Sequence, residues 1–189
     1  MTTRPSAAAP KRKPASAAAF RISVITTGGT IAKTYDQRTA VLRNAEPVIE
    51  RLIRSLRLKK TRVVFQDLMH KDSLDLDDDD RARIVKVVLA AARKNHAVIV
   101  IHGTDTLAQT GEALVARATP VPIVLTGAMV PFVVQGSDGP QNITEALFAC
   151  RLLAPGVYAV FHGRALAFPG VVKDRDALTF VRTTHGDTP

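Results

Sequence analysis

Residues 97–106 read AVIVIHGTDT, a continuous apolar run that ends in a polar turn. A run so rich in β-branched residues is typical of a strand buried on both faces, as parallel strands covered by helices are. In open parallel sheets, ligands usually bind beyond the carboxyl ends of the strands. The stretch therefore predicts both the fold class and the edge of the sheet at which a functional site lies.

Apolar runs alternate with helical segments along the rest of the chain. We predict strands at 21–27, 62–66, 97–102, 122–126 and 156–162. Apolar residues at helical spacing indicate three helices, with stripes formed by Val48, Ile49, Leu52, Ile53 and Leu56, by Ile84, Val88, Ala91 and Ala92, and by Ile143, Ala146, Leu147 and Cys150. A fourth helix is expected after Asp105. This order of elements predicts a Rossmann-like doubly wound α/β fold, with a mostly parallel sheet in three α/β/α layers.

Length and charge distribution favour one ordered domain. The chain has 189 residues, which suits a single domain with a sizeable core, and its one cysteine, Cys150, excludes an internal disulfide. Four basic residues behind the net charge of +9 lie within residues 1–19, a segment rich in Ala, Pro and Ser that has no acidic residue. We therefore predict a disordered basic tail at 1–19 and an α/β domain at 20–189.

The tail carries too few charges to indicate a polyanion-binding arm. Nucleic-acid binding is not expected, and any such binding should vanish when residues 1–19 are deleted. No apolar run approaches the roughly 20 residues that cross a bilayer, so no membrane contact is expected. Because nothing in the sequence resembles a secretory signal, we expect a cytoplasmic protein.

Four strand-end loops carry residues suited to chemistry: TGGTIA at 27–32, HGTDT at 102–106, TGAM at 126–129 and SDGPQN at 137–142. Glycines let backbone N–H groups approach a ligand oxygen closely, and Thr30 beside them can act as a nucleophile if a base removes its proton. Each motif alone also makes ordinary turns and helix caps. Their combination is more specific.

In order and spacing, the four motifs together resemble the bacterial-type L-asparaginase and glutaminase family. The resemblance covers about residues 21–185, the length of that family's amino-terminal domain. The family's smaller carboxyl-terminal domain has no counterpart here, which implies a short single-domain asparaginase-like protein. The resemblance further implies a small amino-acid substrate, a homo-oligomer of two or more subunits, and no metal or organic cofactor.

The same resemblance assigns roles in amide hydrolysis. Thr30 is expected to attack the side-chain amide of asparagine, forming an acyl-enzyme and releasing ammonia before water regenerates the hydroxyl. Thr104, Asp105 and Lys173 correspond to the family's activating Thr-Asp pair and lysine. Lys173 would hold Thr104 as the proton acceptor, which requires partial desolvation because burial favours a neutral lysine.

Substrate binding is assigned in the same way. Ser73 would bind the α-carboxylate of the substrate, and Asp105 would bind its α-ammonium. The backbone N–H groups near Gly29 and Thr104 would stabilise negative charge on the carbonyl oxygen. Ala128, in the TGAM motif, completes the predicted pocket.

Three departures from the family pattern leave alternatives open. The family holds a tyrosine on the loop after TGGTIA, where this chain reads TAVL at 39–42, so Tyr35 is the candidate accessory residue. Leu74 stands where longer members commonly have a polar residue, and the contacts of the second domain are missing. One alternative is an amidase for glutamine or another small amide. Another is a non-catalytic amino-acid-binding module.

Two other conspicuous features favour structural roles. Successive carboxylates at Asp77–Asp80 diverge around a helix, so they indicate a helix cap rather than a metal site. His102 at a strand end is expected to be a hydrogen-bonded structural histidine. The other histidines show no zinc-ligand spacing.

Overall fold

The structure, a computed structural model, describes residues 18–44 and 48–183. Its strands are β1 Phe20–Gly28, β2 Lys33–Asp36, β3 Val41–Asn44, β4 Thr61–Lys71, β5 Ala97–Ile101, β6 Pro122–Thr126, β7 Gly156–Phe161, β8 Arg164–Ala167, β9 Val171–Asp174 and β10 Thr179–Arg182. Its α-helices are α1 Val48–Ser55, α2 Asp78–Ala92, α3 Leu107–Val115 and α4 Gly139–Leu152. Residues 1–17 of the predicted tail lie outside the described residues.

The central sheet has the strand order β4-β1-β5-β6-β7-β8. The first five of these strands run parallel, and β8 joins the edge antiparallel to β7. From β1 the chain passes outward to β4 and then returns across β1 to β5. The direction of winding therefore reverses between β1 and β5, and ligands in open α/β sheets usually bind at such a topological switch point.

Helices cover both faces of the sheet. Val98 and Val100 of β5 pack into the apolar layer under α2 and α3, whereas Ile99 and Ile101 pack into the layer under α1 and α4. Each large aliphatic side chain buried in this way contributes roughly 1.5–3 kcal/mol to folding. Cys150 of α4 is buried as well, and this burial raises the pKa of its thiol to about 12. The three-layer α/β/α fold expected from the sequence is confirmed.

The structure adds strands that the apolar runs did not predict. β2 and β3 form one antiparallel hairpin, and β9 and β10 form another, outside the central sheet. Each of these strands has four residues. Such short strands contain too few residues to show a clear apolar pattern. Within the described ranges, no helix is long and apolar enough to span a membrane.

The acidic run at the start of α2 caps the helix, as predicted, with Asp77 as the N-cap residue. Asp77 accepts a hydrogen bond from the backbone N–H of Asp80, and the carboxylate of Asp80 accepts one from the backbone N–H of Asp77. This reciprocal pair is a capping box, which satisfies N–H groups that the first helical turn leaves unpaired. In the part of the chain that the structure describes, no three His, Cys, Asp or Glu side chains are arranged to hold a metal ion.

Replacing Asp77 by alanine should lower the free energy of unfolding by about 1 kcal/mol, because the N-cap acceptor is lost. Asp79→Ala is the matched control: Asp79 lies in the same turn but takes no part in the capping box. Urea denaturation followed by circular dichroism measures both variants. Equal losses would show that the acidic run acts only through its charge.

Candidate active site

Glycines allow the TGGTIA loop after β1 and the HGTDT loop after β5 to pack against each other. Gly29 has a φ of 89°, and a Cβ added there would lie 2.5 Å from the backbone nitrogen of Gly103. A Cβ added at Gly103 would lie 2.6 Å from Ser73 Oγ. No side chain fits in spaces this narrow, so three loops touch in a row at the switch point. Thr30 follows Gly29 directly and is partly buried there.

Ser73 begins a short 3-10 turn after β4. Its carbonyl accepts a hydrogen bond of 2.8 Å from Thr106 Oγ1, and the side chain of Asp72 caps the turn. Lys33 Nζ donates to Asp72 at 2.7 Å, and this hydrogen bond lowers the pKa of the Asp72 carboxyl. Ser73 Oγ is buried and has no hydrogen-bond partner among the described residues. The backbone of Ser73 is thus held, whereas its buried hydroxyl has a hydrogen-bonding capacity that no described residue uses.

Thr104, Asp105 and Lys173 form one hydrogen-bonded group, the Lys173 cluster. Lys173 Nζ donates to Thr104 Oγ1 at 2.8 Å and to Asp105 Oδ1 at 3.0 Å. Thr104 is buried, and 16% of the Lys173 side chain is exposed. The structure therefore brings Lys173 to Thr104 and Asp105, two adjacent residues that lie 69 and 68 positions earlier in the sequence.

Arg175 also reaches the cluster, which the sequence analysis did not predict. Its NH2 lies 3.5 Å from Asp105 Oδ1, while 72% of its side chain remains exposed. Because Arg175 stands in a charged KDRD stretch, nothing in the sequence distinguished it from a solvated surface residue. Asp105 thus faces two cationic side chains.

The remaining predicted residues lie around this centre. Ala128 is buried beyond the end of β6, next to Gly127, where an added Cβ would lie 2.4 Å from the carbonyl oxygen of His102. The TGAM loop therefore packs against the HGTDT loop. Leu74 is 69% exposed, and Tyr35 on β2 is 59% exposed. Among the described residues, no hydrogen bond joins Tyr35 to the Lys173 cluster, so its accessory role stays a prediction.

His102 is a structural residue, as expected. It is fully buried, with Nδ1 2.8 Å from the Gly103 carbonyl oxygen and Nε2 2.9 Å from Thr110 Oγ1. A carbonyl only accepts, so Nδ1 carries the proton and Nε2 accepts from the threonine hydroxyl. Burial lowers the pKa of His102 to about 4. The neutral imidazole braces the loop that carries Thr104.

A second polar network surrounds Asp138, in the SDGPQN motif. Its carboxylate accepts hydrogen bonds from the backbone N–H groups of Met129 and Val130, and from the side chains of Asn142 and His162. Burial by itself raises the pKa of Asp138, but these hydrogen bonds outweigh burial and hold the pKa below its usual value. The charged carboxylate joins the loop after β6, the start of α4 and the turn after β7.

Fold and site thus define a doubly wound α/β protein with hydroxyl, carboxylate and ammonium groups gathered at its switch point. The family model described as Asparaginase, N-terminal matches residues 21–178. The chain belongs to the asparaginase family, and the match lies in that family's amino-terminal domain.

Relatives of known name agree with this assignment. An L-asparaginase of Thermococcus kodakarensis is 35% identical over 146 residues, covering 75% of this chain and 44% of the relative. One subunit of the glutamyl-tRNA(Gln) amidotransferase of Haloquadratum walsbyi is 34% identical over 160 residues, covering 78% of this chain and 35% of the relative. The solved structure of the thermostable T. kodakarensis L-asparaginase superimposes with a TM-score of 0.79 at 30% identity, covering 86% of this chain and 51% of that one. The chain spans about half the length of these proteins or less.

Acidification should destabilise the protein through His102. The unfolded histidine binds a proton near pH 6.5, whereas the folded one does so only near pH 4. The contribution of neutral His102 to the free energy of unfolding is therefore present above pH 6.5 and is lost as the pH falls toward 4. The loss is about 3 kcal/mol, at 1.36 kcal/mol for each unit of pKa difference between the unfolded and folded states. Urea denaturation of the wild type and His102→Gln at several pH values measures this loss.

The His102→Gln variant should show a flatter dependence between pH 6.5 and 4, because glutamine does not titrate. His96→Gln, at an exposed histidine, is the control and should retain the slope of the wild type. Parallel curves for the wild type and His102→Gln would contradict the assignment.

Proposed function

We propose that the chain hydrolyses L-asparagine to L-aspartate and ammonia, with Thr30 as the nucleophile. The observation that carries the proposal is the Lys173 cluster at the switch point, where Lys173 Nζ holds Thr104 Oγ1 at 2.8 Å. Membership of the asparaginase family supports the reaction class. The packing of Gly29 on Gly103 supports a site shared by Thr30 and the cluster.

In the proposed reaction, Thr30 Oγ forms a bond to the side-chain amide carbon of asparagine and gives up its proton. The resulting tetrahedral intermediate breaks its carbon–nitrogen bond, and the protonated leaving group departs as ammonia. Water then adds to the ester, releases aspartate and returns a proton to Thr30. Backbone N–H groups near Gly29 and Thr104 stabilise the oxyanion in both steps.

Activation of Thr30 requires a base, because a neutral threonine hydroxyl is a weak nucleophile. In the proposal, Thr104 accepts the proton of Thr30 while it passes its own hydroxyl proton to the amine of Lys173, whose Nζ lies 2.8 Å from Thr104 Oγ1 and which must be neutral at that moment. Lys173 is placed for this exchange, since its Nζ lies 3.0 Å from Asp105 Oδ1 and only 16% of its side chain is exposed.

The amino-acid end of the substrate is assigned to Ser73 and Asp105. Ser73 Oγ is buried without a partner among the described residues, so an incoming carboxylate would satisfy it. Asp105 has a second carboxylate oxygen with which to accept the α-ammonium. The homo-oligomeric state that the resemblance implies and the cytoplasmic location expected from the sequence are part of the same proposal.

Ammonia release from L-asparagine and L-glutamine tests the reaction. Thr30→Ala should lower kcat on the order of 10⁴-fold or more, because the nucleophile is lost. Thr39→Ala, at an exposed threonine in the nearby hairpin, is the matched control and should keep wild-type turnover. Hydroxylamine should trap the acyl group as aspartyl hydroxamate in the wild type only.

The outcomes of this assay separate the alternatives. Faster ammonia release from glutamine or another amide would favour an amidase of different specificity. Binding of aspartate in calorimetry without ammonia release from any amide would favour an amino-acid-binding module. Full turnover by Thr30→Ala would refute the threonine mechanism.

Ser73→Ala should raise KM for L-asparagine by about 10- to 100-fold and change kcat much less, because one hydrogen bond to a charged group contributes roughly 1.5–3 kcal/mol. Stability should change by less than about 0.5 kcal/mol, since the hydroxyl makes no hydrogen bond in the described structure. Steady-state kinetics and urea denaturation measure the two effects. A loss of stability with unchanged KM would assign Ser73 to the scaffold.

A further inference from the structure

Lys173 is the one member of the Lys173 cluster that does not follow a strand of the central sheet. It lies on β9, which in the described part of the chain pairs only with β10, in a separate hairpin. Thr104 and Asp105 follow β5, in the middle of the sheet. The distance between Lys173 Nζ and Thr104 Oγ1 therefore depends on how the β9–β10 hairpin is attached to the rest of the domain.

Phe161, the last residue of β7, and His162, which follows it, contact two consecutive residues of β10, Phe180 and Thr179. The ring of Phe161 packs against that of Phe180, with centroids 4.7 Å apart. Nδ1 of His162 lies 2.9 Å from Thr179 Oγ1. Phe180 stands opposite Lys173 in the hairpin. One of these contacts is thus apolar and the other is polar, and both lie beside the position of Lys173 in the hairpin.

His162 makes further hydrogen bonds on the side away from Thr179. His162 Nε2 lies 3.0 Å from Asp138 Oδ2, and the backbone N–H of His162 donates to Asn142 Oδ1 at 3.1 Å. Asp138 is fixed in turn by the backbone N–H groups of Met129 and Val130. Both ring nitrogens of His162 are engaged, so the ring cannot rotate without breaking a hydrogen bond.

We propose that His162 is a positioning residue for Lys173. It links the fixed carboxylate of Asp138 to Thr179 and so sets the tilt of the hairpin that delivers Lys173 to Thr104. The catalytic consequence rests on the proposed amidase function, whereas the position of Lys173 does not. Misplacement of a reacting group by about 1 Å can slow a reaction about 100-fold, so control of the hairpin matters to the rate.

The link does not depend on the protonation state of His162. The Asp138 carboxylate only accepts, so Nε2 carries a proton in either state. A threonine hydroxyl can donate to a neutral Nδ1 or accept from a protonated one. The proposal is accordingly geometric, and no pH switch is part of it.

Two substitutions break the link and one keeps it. Thr179→Val removes the hydroxyl but preserves the β-branched shape, and it leaves the Phe161–Phe180 contact in place. His162→Gln removes the ring that bridges Asp138 and Thr179. Thr179→Ser retains a hydroxyl and is the matched control. Thermal unfolding establishes that each variant is folded.

The direct readout is acetylation of the Lys173 amine by a water-soluble ester, followed by mass spectrometry. The exposed Lys94, at the far end of α2, serves as the internal reference. Lys173 is held by two hydrogen bonds and mostly buried, so it should react slowly in the wild type and in Thr179→Ser. It should react several-fold faster in Thr179→Val and His162→Gln, whose hairpins are released.

The kinetic readout is the separation of kcat from KM with L-asparagine. Thr179→Val and His162→Gln should lower kcat by about 10-fold or more with little change in KM, because substrate contacts are untouched. Unchanged Lys173 acetylation in folded Thr179→Val and His162→Gln would overturn the proposal. If the wild type releases no ammonia, the amidase function fails, and the acetylation rates still decide whether His162 positions Lys173.

Discussion

The contact between Gly29 and Gly103 is the constraint on which the candidate site depends. The two residues follow β1 and β5, the adjacent strands between which the chain reverses its winding. At such a reversal the connections diverge to opposite faces and leave a crevice. At Gly29 and Gly103 the backbones of the two loops touch, and no side chain fits between them. A larger residue at either position would push apart the loops that carry Thr30, Thr104 and Ser73.

The residues of the site come from two kinds of element, the central sheet and a separate hairpin. Thr104 and Asp105 follow directly on a strand whose residues are all buried, and His102 braces them from below. Lys173 comes instead from a hairpin outside the central sheet. Its placement relies on contacts other than the strand pairing of the central sheet, among them those of Phe161 with Phe180, of His162 with Thr179 and of Glu112 with the backbone N–H of Gly170. Elements of a large buried sheet hold a geometry better than a small hairpin does, so the geometry of Lys173 needs dedicated support.

The sequence predicted those parts of the fold that have a strong local pattern. Near-continuous apolar runs such as residues 97–101 gave the five parallel strands, and the apolar stripes gave the helices. The hairpins were not predicted, because their strands are four residues long and one of them reads VVKD. Their pairing is set by tertiary contacts, such as the burial of Phe180, that no short window of sequence contains.

The residues of the candidate site were predicted from a family resemblance and not from a local sequence pattern. No local pattern joins Thr30, Ser73, Thr104 and Lys173; the resemblance of several motifs in order did so, and the geometry of Lys173 with Thr104 agrees with it. Arg175 and His162 were not assigned roles, since each depends on a partner distant in sequence, Asp105 for the first and Asp138 with Thr179 for the second. Residues that act through such long-range partners become recognisable only in the folded chain.

The charge arrangement suits a zwitterionic amino acid. Lys173 and Arg175 both approach Oδ1 of Asp105, which leaves Oδ2 to accept from a ligand. A free amino acid would bring an ammonium to this carboxylate and a carboxylate toward Ser73 Oγ, which has no partner among the described residues. A ligand without the carboxylate would leave the buried Ser73 hydroxyl unsatisfied, which costs free energy. In the proposed function, selectivity for the amino-acid end of the substrate would follow from the buried Ser73 hydroxyl and the Asp105 carboxylate.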